Sequence, residues 1–342
     1  MSSFTMGLAI LGGLVLAILV AYNAWNSRRN IPRQPEAAPG PAQAMPPSDA
    51  RAEPSFDLDL DAPLPVVEKR LALDALIDVL TPIALEQVVS GEAALAAMPT
   101  TRRAGSKPFA IEGCNDATQQ WEMPHAGQRY RAFQAGVQLA NRTGALNEIE
   151  YSEFVMKVQA FADAINGAPE FPEMLDEVAR ARELDQFASG HDAQLGFTLR
   201  ARNAAWSPGY VQQNASRLGF VAGAIPGRMV LPAGAQGAPP VLGLSFDTQA
   251  ALADDPAQSA LRELTLSLDV PQVHRSEQPF VRMRDAAIAL AASMDGIITD
   301  DNGQVIRAEG LDVIGADLEQ LYDTLDGRDL AAGSPLARRL FS

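Results

Sequence analysis

The side chains that most often carry chemistry are few in this sequence and stand far apart. His125, His191 and His274 are dispersed, with no neighbours at the spacing a metal site needs. Cys114 is the one cysteine and sits in no local nucleophile signature, so a structural thiol is expected and no intrachain disulfide can form. Gly223-Ala-Ile-Pro-Gly-Arg228 lacks the Lys-Ser/Thr ending that lets a glycine-rich loop cradle phosphates. Asp300-Asp-Asn-Gly303 has calcium-loop residue types. Counting back from Gly303, however, puts Ile298 where the first aspartate ligand must be, so a turn is expected. The adjacent carboxylates Asp254 and Asp255 lie in a polar connector, where solvation is the ordinary outcome. These residues point to no cofactor, no metal, no small-molecule substrate and no enzyme.

Composition narrows the partners. The 342 residues carry a formal charge of -15, which disfavours nucleic acid and anionic lipid surfaces, both of which need a basic footprint. Aromatic residues make up only 6%, too few for base-stacking platforms. Hydrophobic residues reach 47%, enough for sizeable cores. A single cysteine suits a reducing compartment.

The elements that would hold such a chain in place begin with residues 1–26. Met6–Tyr22 is an uncharged apolar run, and ~20 helical residues cover the ~30 Å hydrocarbon core of a bilayer. Tyr22 and Trp25 suit the lipid–water boundary, and Arg28, Arg29 and Arg33 follow at once. The positive-inside rule then places a very short N-terminus outside and the rest of the chain in the cytoplasm. A cleaved secretory signal would need a basic start and a shorter apolar core, so a retained single span is expected. Residues 27–65 turn to Pro, Ala, Gly and Gln without a periodic apolar face, which predicts a disordered tether reaching roughly 30–40 Å as a coil. At its end Phe56-Asp-Leu-Asp-Leu-Asp61 alternates apolar and acidic residues and is expected to be solvated.

Two folded regions follow, 71–190 and 193–326, with a frayed tail at 327–342. In the first, Ala75–Leu80 reads as a strand ended by Thr81-Pro82, then Ser90–Met98 as a helix. Strands are expected at Phe109–Gly113 and Gln119–Met123. Phe133, Ala135, Val137 and Leu139 alternate along a further strand. Phe154, Val155, Val158, Phe161, Ala162 and Ile165 recur at helical spacing up to Asn166-Gly167, and another helix covers Phe171–Phe187. In the second region Leu195–Arg200 and Leu264–Asp269 alternate. Helices are expected from Ser207 to Leu218, from Phe280 to Met294 and from Leu311 to Leu325. Ile297–Thr299 and Gln304–Ile306 flank a hairpin signal at Asp301–Gly303. An offset of about 125–130 residues superimposes the alternating strand and the Phe-Val helix start of one region on the other, as a duplication would. The fold class is therefore α+β: split β-α-β arrangements with an antiparallel sheet, helices on one face and the other face open.

Leu264-Thr-Leu-Ser-Leu-Asp-Val-Pro271, the helix from Phe280, Asp295-Gly-Ile-Ile-Thr-Asp-Asp301 and Leu218-Gly219-Phe220 together resemble the C-terminal domain of ZipA-type bacterial cell-division proteins. The anchor, arginine flank and Pro-rich tether fit the same layout, whereas a second, diverged copy of the domain departs from it. The resemblance implies a single-pass inner-membrane adaptor with a periplasmic N-terminus and cytoplasmic domains. Its open sheet face would bind the C-terminal tail of FtsZ and support septum assembly. Carried over strand by strand, the contact positions are Gly196, Thr198, Gly243, Ser245, Thr265 and Ser267. Family members place larger apolar side chains at several of these points. Here the groove is shallower, the partner peptide differs, or the register is one residue off, which would expose the leucine faces instead. The implied partners are thus the FtsZ tail and, through the N-terminal helix, the bilayer. Tandem domains would add avidity. The alternative is a membrane-bound scaffold or ligand-sensing regulator unrelated to FtsZ, favoured by a polar pocket near Ser189–Ala193 with Arg200 and Arg202 converging on it.

Overall fold

The computed structural model describes residues 32–35, 73–235, 237–255, 259–300 and 302–342. The expected membrane run at 1–26, most of the tether at 27–65 and the acidic stretch Phe56–Asp61 lie outside the described residues. Among the described residues no helix is long and apolar enough to cross a membrane. The chain is mixed α+β with antiparallel sheets and forms two compact units. The first contains residues 73–194 with Asp269–Ser276 and Ala316–Ser342. The second contains residues 32–35 with Leu195–Leu268 and Glu277–Gly315.

In the first unit, Asp74 accepts backbone bonds from Ile77 and Asp78 and closes a turn at the position where a strand was expected to begin. The strand β1 starts later, at Asp78–Ser90, and passes through Pro82. Proline is tolerated there because it meets the neighbouring strand at the last rung: its carbonyl still accepts from Glu170, just past the end of β8, and the missing N–H costs one bond at the ladder's end. The elements that follow are α1 (Gly91–Ala97, capped by Ser90), β2 (Arg103–Ala104), β3 (Lys107–Asn115), β4 (Trp121–Glu122), β5 (Arg129–Gln138), β6 (Ala140–Asn141) and β7 (Gly144–Ala145). After them come α2 (Glu148–Ala164), β8 (Gly167–Pro169) and α3 (Met174–His191). The sheet order is β2-β3-β5-β1-β8, with β4 on β3. Phe133, Ala135, Val137 and Leu139 are all fully buried, as their alternation predicts. Phe133 meets Phe161 of α2 edge-on at 5.2 Å, and Phe109 meets Phe154 at 5.8 Å.

Helix α2 starts in a capping box. Asn147 accepts from the amides of Ile149 and Glu150 at 3.0 Å each, while the Glu150 side chain accepts from the Asn147 amide. Replacing Asn147 with Ala is expected to cost about 1 kcal/mol, read from the urea midpoint at unchanged slope.

The second unit holds β9 (Gln194–Ala201), α4 (Pro208–Arg217), β10 (Val221–Ala222), β11 (Arg228–Leu231), β12 (Leu242–Ser245) and α5 (Thr248–Ala251). It continues with β13 (Glu263–Asp269), α6 (Pro279–Met294), β14 (Gly296–Thr299) and the start of α7 (Ala308–Asp326). Its sheet runs β10-β11-β12-β13-β9-β14. Helix α4 takes Ser207 as its N-cap and Pro208 in its first turn, and Gly219 leaves it at φ +88, a conformation that glycine adopts without strain. Phe197 of β9 packs against Phe280 of α6 at 6.3 Å. The second arm of the expected Asp301–Gly303 hairpin is reduced to one bridge, Thr299 to Val305.

The two sheets share a plan. Strands β3-β5-β1-β8 and β12-β13-β9-β14 lie in the same order. In each, a helix follows the first strand in the chain (α1, α4), a longer one stands between third and last (α2, α6), and a third follows (α3, α7).

Two stretches depart from expectation. Residues 327–342 are not frayed: they include α8 (Pro335–Leu340), whose Leu340 and the following Phe341 are buried, and Arg339 pairs with buried Asp78 at 2.5 Å. Within the expected tether, Arg33 pairs with Trp206. The Arg33 amide donates to Ala205 at 2.7 Å, its carbonyl accepts from Ser207 at 3.0 Å, and its guanidinium meets Asp295 at 3.0 Å. Arg33 is therefore held in place, because the Trp206 segment offers it a strand edge that no local pattern reveals.

Candidate functional site

Strands β9, β12 and β13 bring the six expected positions to one side of the second sheet. Along β13, Leu264, Leu266 and Leu268 are buried while Thr265 is half-buried and Ser267 exposed. Along β12, Leu242 and Leu244 are buried while Gly243 and Ser245 are half-buried. Phe197 and Leu199 of β9 point inward, leaving Gly196 and Thr198 half-buried on the opposite side. Alternation of period two forces this division, and the leucines have gone to the core. The one-residue slip that would expose the leucines is thus not the register adopted.

Pairing groups the positions into rows. Gly243 stands opposite Ser267, and Ser245 opposite Thr265. Thr198 pairs with Thr299, whose hydroxyl donates to the Thr198 carbonyl at 3.2 Å. The first row continues through Val230 to Val221, which is half exposed. Its floor is therefore small in the middle and apolar at one end. The second row continues to Arg228, an exposed cation. Val221, Val230 and Arg228 were not singled out from sequence. The alternation Arg-Met-Val-Leu over 228–231 carried the signal, because buried Met229 and Leu231 leave Arg228 and Val230 on the other side. At the Ser245–Thr265 end a hollow of about 450 Å³ opens, lined also by Asp247, Arg262 and Glu263. A surface of this kind can take an extended peptide: glycine, serine and threonine let apolar side chains approach the backbone, and Arg228 suits an acidic neighbour.

The remaining polar clusters are held by their own partners. Near Ser189–Asp192 a hollow of about 420 Å³ is lined by Asn141, Arg142, Thr143, Asp185, Ser189 and Asp192. Neither Arg200 nor Arg202 lines it. Arg142 is clasped by Asp192 and Asp269 at 2.7 Å each, hydrogen bonds that push its pKa still higher, Asp192 first. Buried Lys107 gives its amine to Asn141, Thr143 and the Gly144 carbonyl at 2.8, 3.2 and 2.6 Å, and its desolvation lowers its pKa.

His125 is less isolated than its sequence position suggests. Its Nδ1 is 3.0 Å from the Tyr130 hydroxyl, which donates to Glu122 at 3.1 Å, and Glu122 also accepts from Asn115 at 2.8 Å. Burial is the main cause raising the Tyr130 pKa, so the phenol stays protonated and serves as a donor. His191 stacks on Phe187, and His274 bonds Ser276. Cys114 is buried in β3 with the Arg131 Nε donating to its sulfur at 3.4 Å. Among the described residues no group of three or more His, Cys, Asp or Glu could hold a metal ion. No protein-family model matches the chain, and no curated protein matches it either.

Proposed function

We propose that this chain is a single-pass inner-membrane adaptor of bacterial cell division, resembling ZipA, with two cytoplasmic domains of split β-α-β type. Its second domain binds the C-terminal tail of FtsZ on the open face of the β9–β14 sheet and so supports septum assembly. The observation that carries the reading is the row Val221–Val230–Gly243–Ser267, a small-floored, partly apolar strip on a sheet side whose alternate positions are the buried leucines. The shared strand order of the two sheets supports the duplication, and the apolar run Met6–Tyr22 supports the anchor.

The full chain in lipid nanodiscs is expected to retain FtsZ and to lose it when the FtsZ tail is deleted. Equal retention of the tail-less polymer would overturn the reading. Ser267→Arg, on an exposed position facing away from the core, is expected to weaken tail binding at least tenfold, about 1.4 kcal/mol, with the melting temperature unchanged. An unaltered affinity would place the tail elsewhere. The alternative, a scaffold or ligand-sensing regulator unrelated to FtsZ, has the Ser189–Asp192 hollow in its favour. The guanidinium there is already engaged by two carboxylates, which makes the hollow a poor anion site.

A further inference from the structure

The same sheet side in the first unit is not vacant. Its rows are Leu80–Gly136–Ala110 and Pro82–Gln134–Glu112, and the first places a glycine at the centre of the sheet between apolar neighbours. Leu73 fills that place. A Cβ on Gly136 would lie 2.6 Å from the Leu73 side chain, so the glycine is what lets the leucine reach the backbone. The approach is held at three points. The Leu73 amide donates to Glu112 at 3.1 Å, and the other oxygen of this buried carboxylate accepts from Gln134 at 2.8 Å. The Asp74 amide donates to Asp78 at 2.9 Å, and the turn it opens folds the chain back over β1. At the far end of the side, Asp78 and Gln138 are taken by Arg339. In the second unit the matching pair of neighbouring strands puts Gly243 opposite an exposed Ser267.

We propose that Leu73 is a built-in occupant of the first sheet's open side. It stands where an apolar side chain of a bound peptide would stand, and it restricts tail reading to the second sheet. The proposal rests on the peptide-binding reading given above, and it replaces avidity between two equal sites with one active and one self-filled site. The first sheet would read an apolar tail only with Leu73 withdrawn.

Isothermal titration of the full chain in nanodiscs with a synthetic FtsZ tail peptide gives the stoichiometry. One peptide per wild-type chain is expected, and two per Leu73→Ala chain. Adding Ser267→Arg to Leu73→Ala should return the count to one. Two peptides on the wild type, or one on Leu73→Ala, would overturn the proposal. Hydrogen exchange of the wild type needs no variant to fold: the Leu73 amide should be protected, and should stay so at saturating peptide. Loss of that protection on binding would place the peptide on the first sheet and overturn it equally. The dye 8-anilinonaphthalene sulfonate separates this idea from the identity of the partner. Brighter emission from Leu73→Ala without uptake of the FtsZ peptide by either chain supports the self-filled side and sinks FtsZ as partner. Unchanged emission counts against the self-filled side itself.

Discussion

Arg339→Ala should lower stability by about 3–5 kcal/mol, because it strands the fully buried carboxylate of Asp78 without its cation. Asp78 also accepts from the Asp74 amide, and Gln138 donates to the Arg339 carbonyl at 2.8 Å, a backbone contact the alanine variant can keep. The dominant loss is thus electrostatic. Burial already raises the Asp78 pKa above the usual carboxylate value, with the Arg339 charge and hydrogen bond opposing that rise. A carboxyl whose folded pKa is raised favours folding most below its unfolded pKa, and that contribution is lost as pH climbs through the folded value. Removing Arg339 raises the folded value further, so the deficit of the variant should be largest at neutral pH and should shrink on acidification. Urea titrations of both chains at pH 7 and near pH 4 would show it. A deficit independent of pH would mean that lost packing of α8, not the stranded charge, is the cause. Asp78→Asn, which keeps an acceptor for Arg339 without a buried charge, should cost less than Arg339→Ala.

Trp206→Ala should cost about 3–5 kcal/mol in the second unit. The indole is fully buried, donates to the Met294 carbonyl at 2.7 Å, and lies 3.3 Å from where a side chain on Gly296 would begin. Its backbone exchanges two 2.8 Å bonds with Leu261 while its neighbours hold Arg33. Truncation therefore leaves a large cavity and an unpaired carbonyl together. Trp206→Phe keeps most of the volume and should lose only about 1–2 kcal/mol, the share of the indole donor. Trypsin supplies a second readout. Cleavage after Arg33 should be slow in the wild type and fast in Trp206→Ala, and equal rates would show that the pairing does not depend on the indole.

The parts of the fold that were legible in the sequence are those whose partners lie nearby in pattern. Phe133 to Leu139 and Leu264 to Leu268 announce strands because each alternate side chain must be buried, and Phe154 to Ile165 announces a helix for the same reason at a longer period. The six positions from Gly196 to Ser267 were legible as sharing one side of a sheet, since parity along each strand fixes it. Parity says nothing about which strands are neighbours, so Val221, Val230 and Arg228 entered only with the β10–β11–β12 pairing. Strand β1 was misjudged because proline is locally a breaker, and only the position of Glu170 beyond β8 makes Pro82 tolerable. Residues 327–342 appeared loose because nothing in their own composition reveals a partner 261 positions earlier, at Asp78. Leu73 did not stand out in the sequence, since the glycine that receives it, Gly136, belongs to a strand more than fifty residues away.

The pairing of Arg33 with Ala205 and Ser207 has a mechanical meaning. A pull on the residues that precede Arg33 reaches the second unit through Arg33 directly. The resisting elements are two backbone hydrogen bonds and the Arg33–Asp295 pair, which Asn203 braces by donating to the same aspartate at 3.0 Å. Under load the junction is brittle: force climbs while these contacts hold and drops once they part.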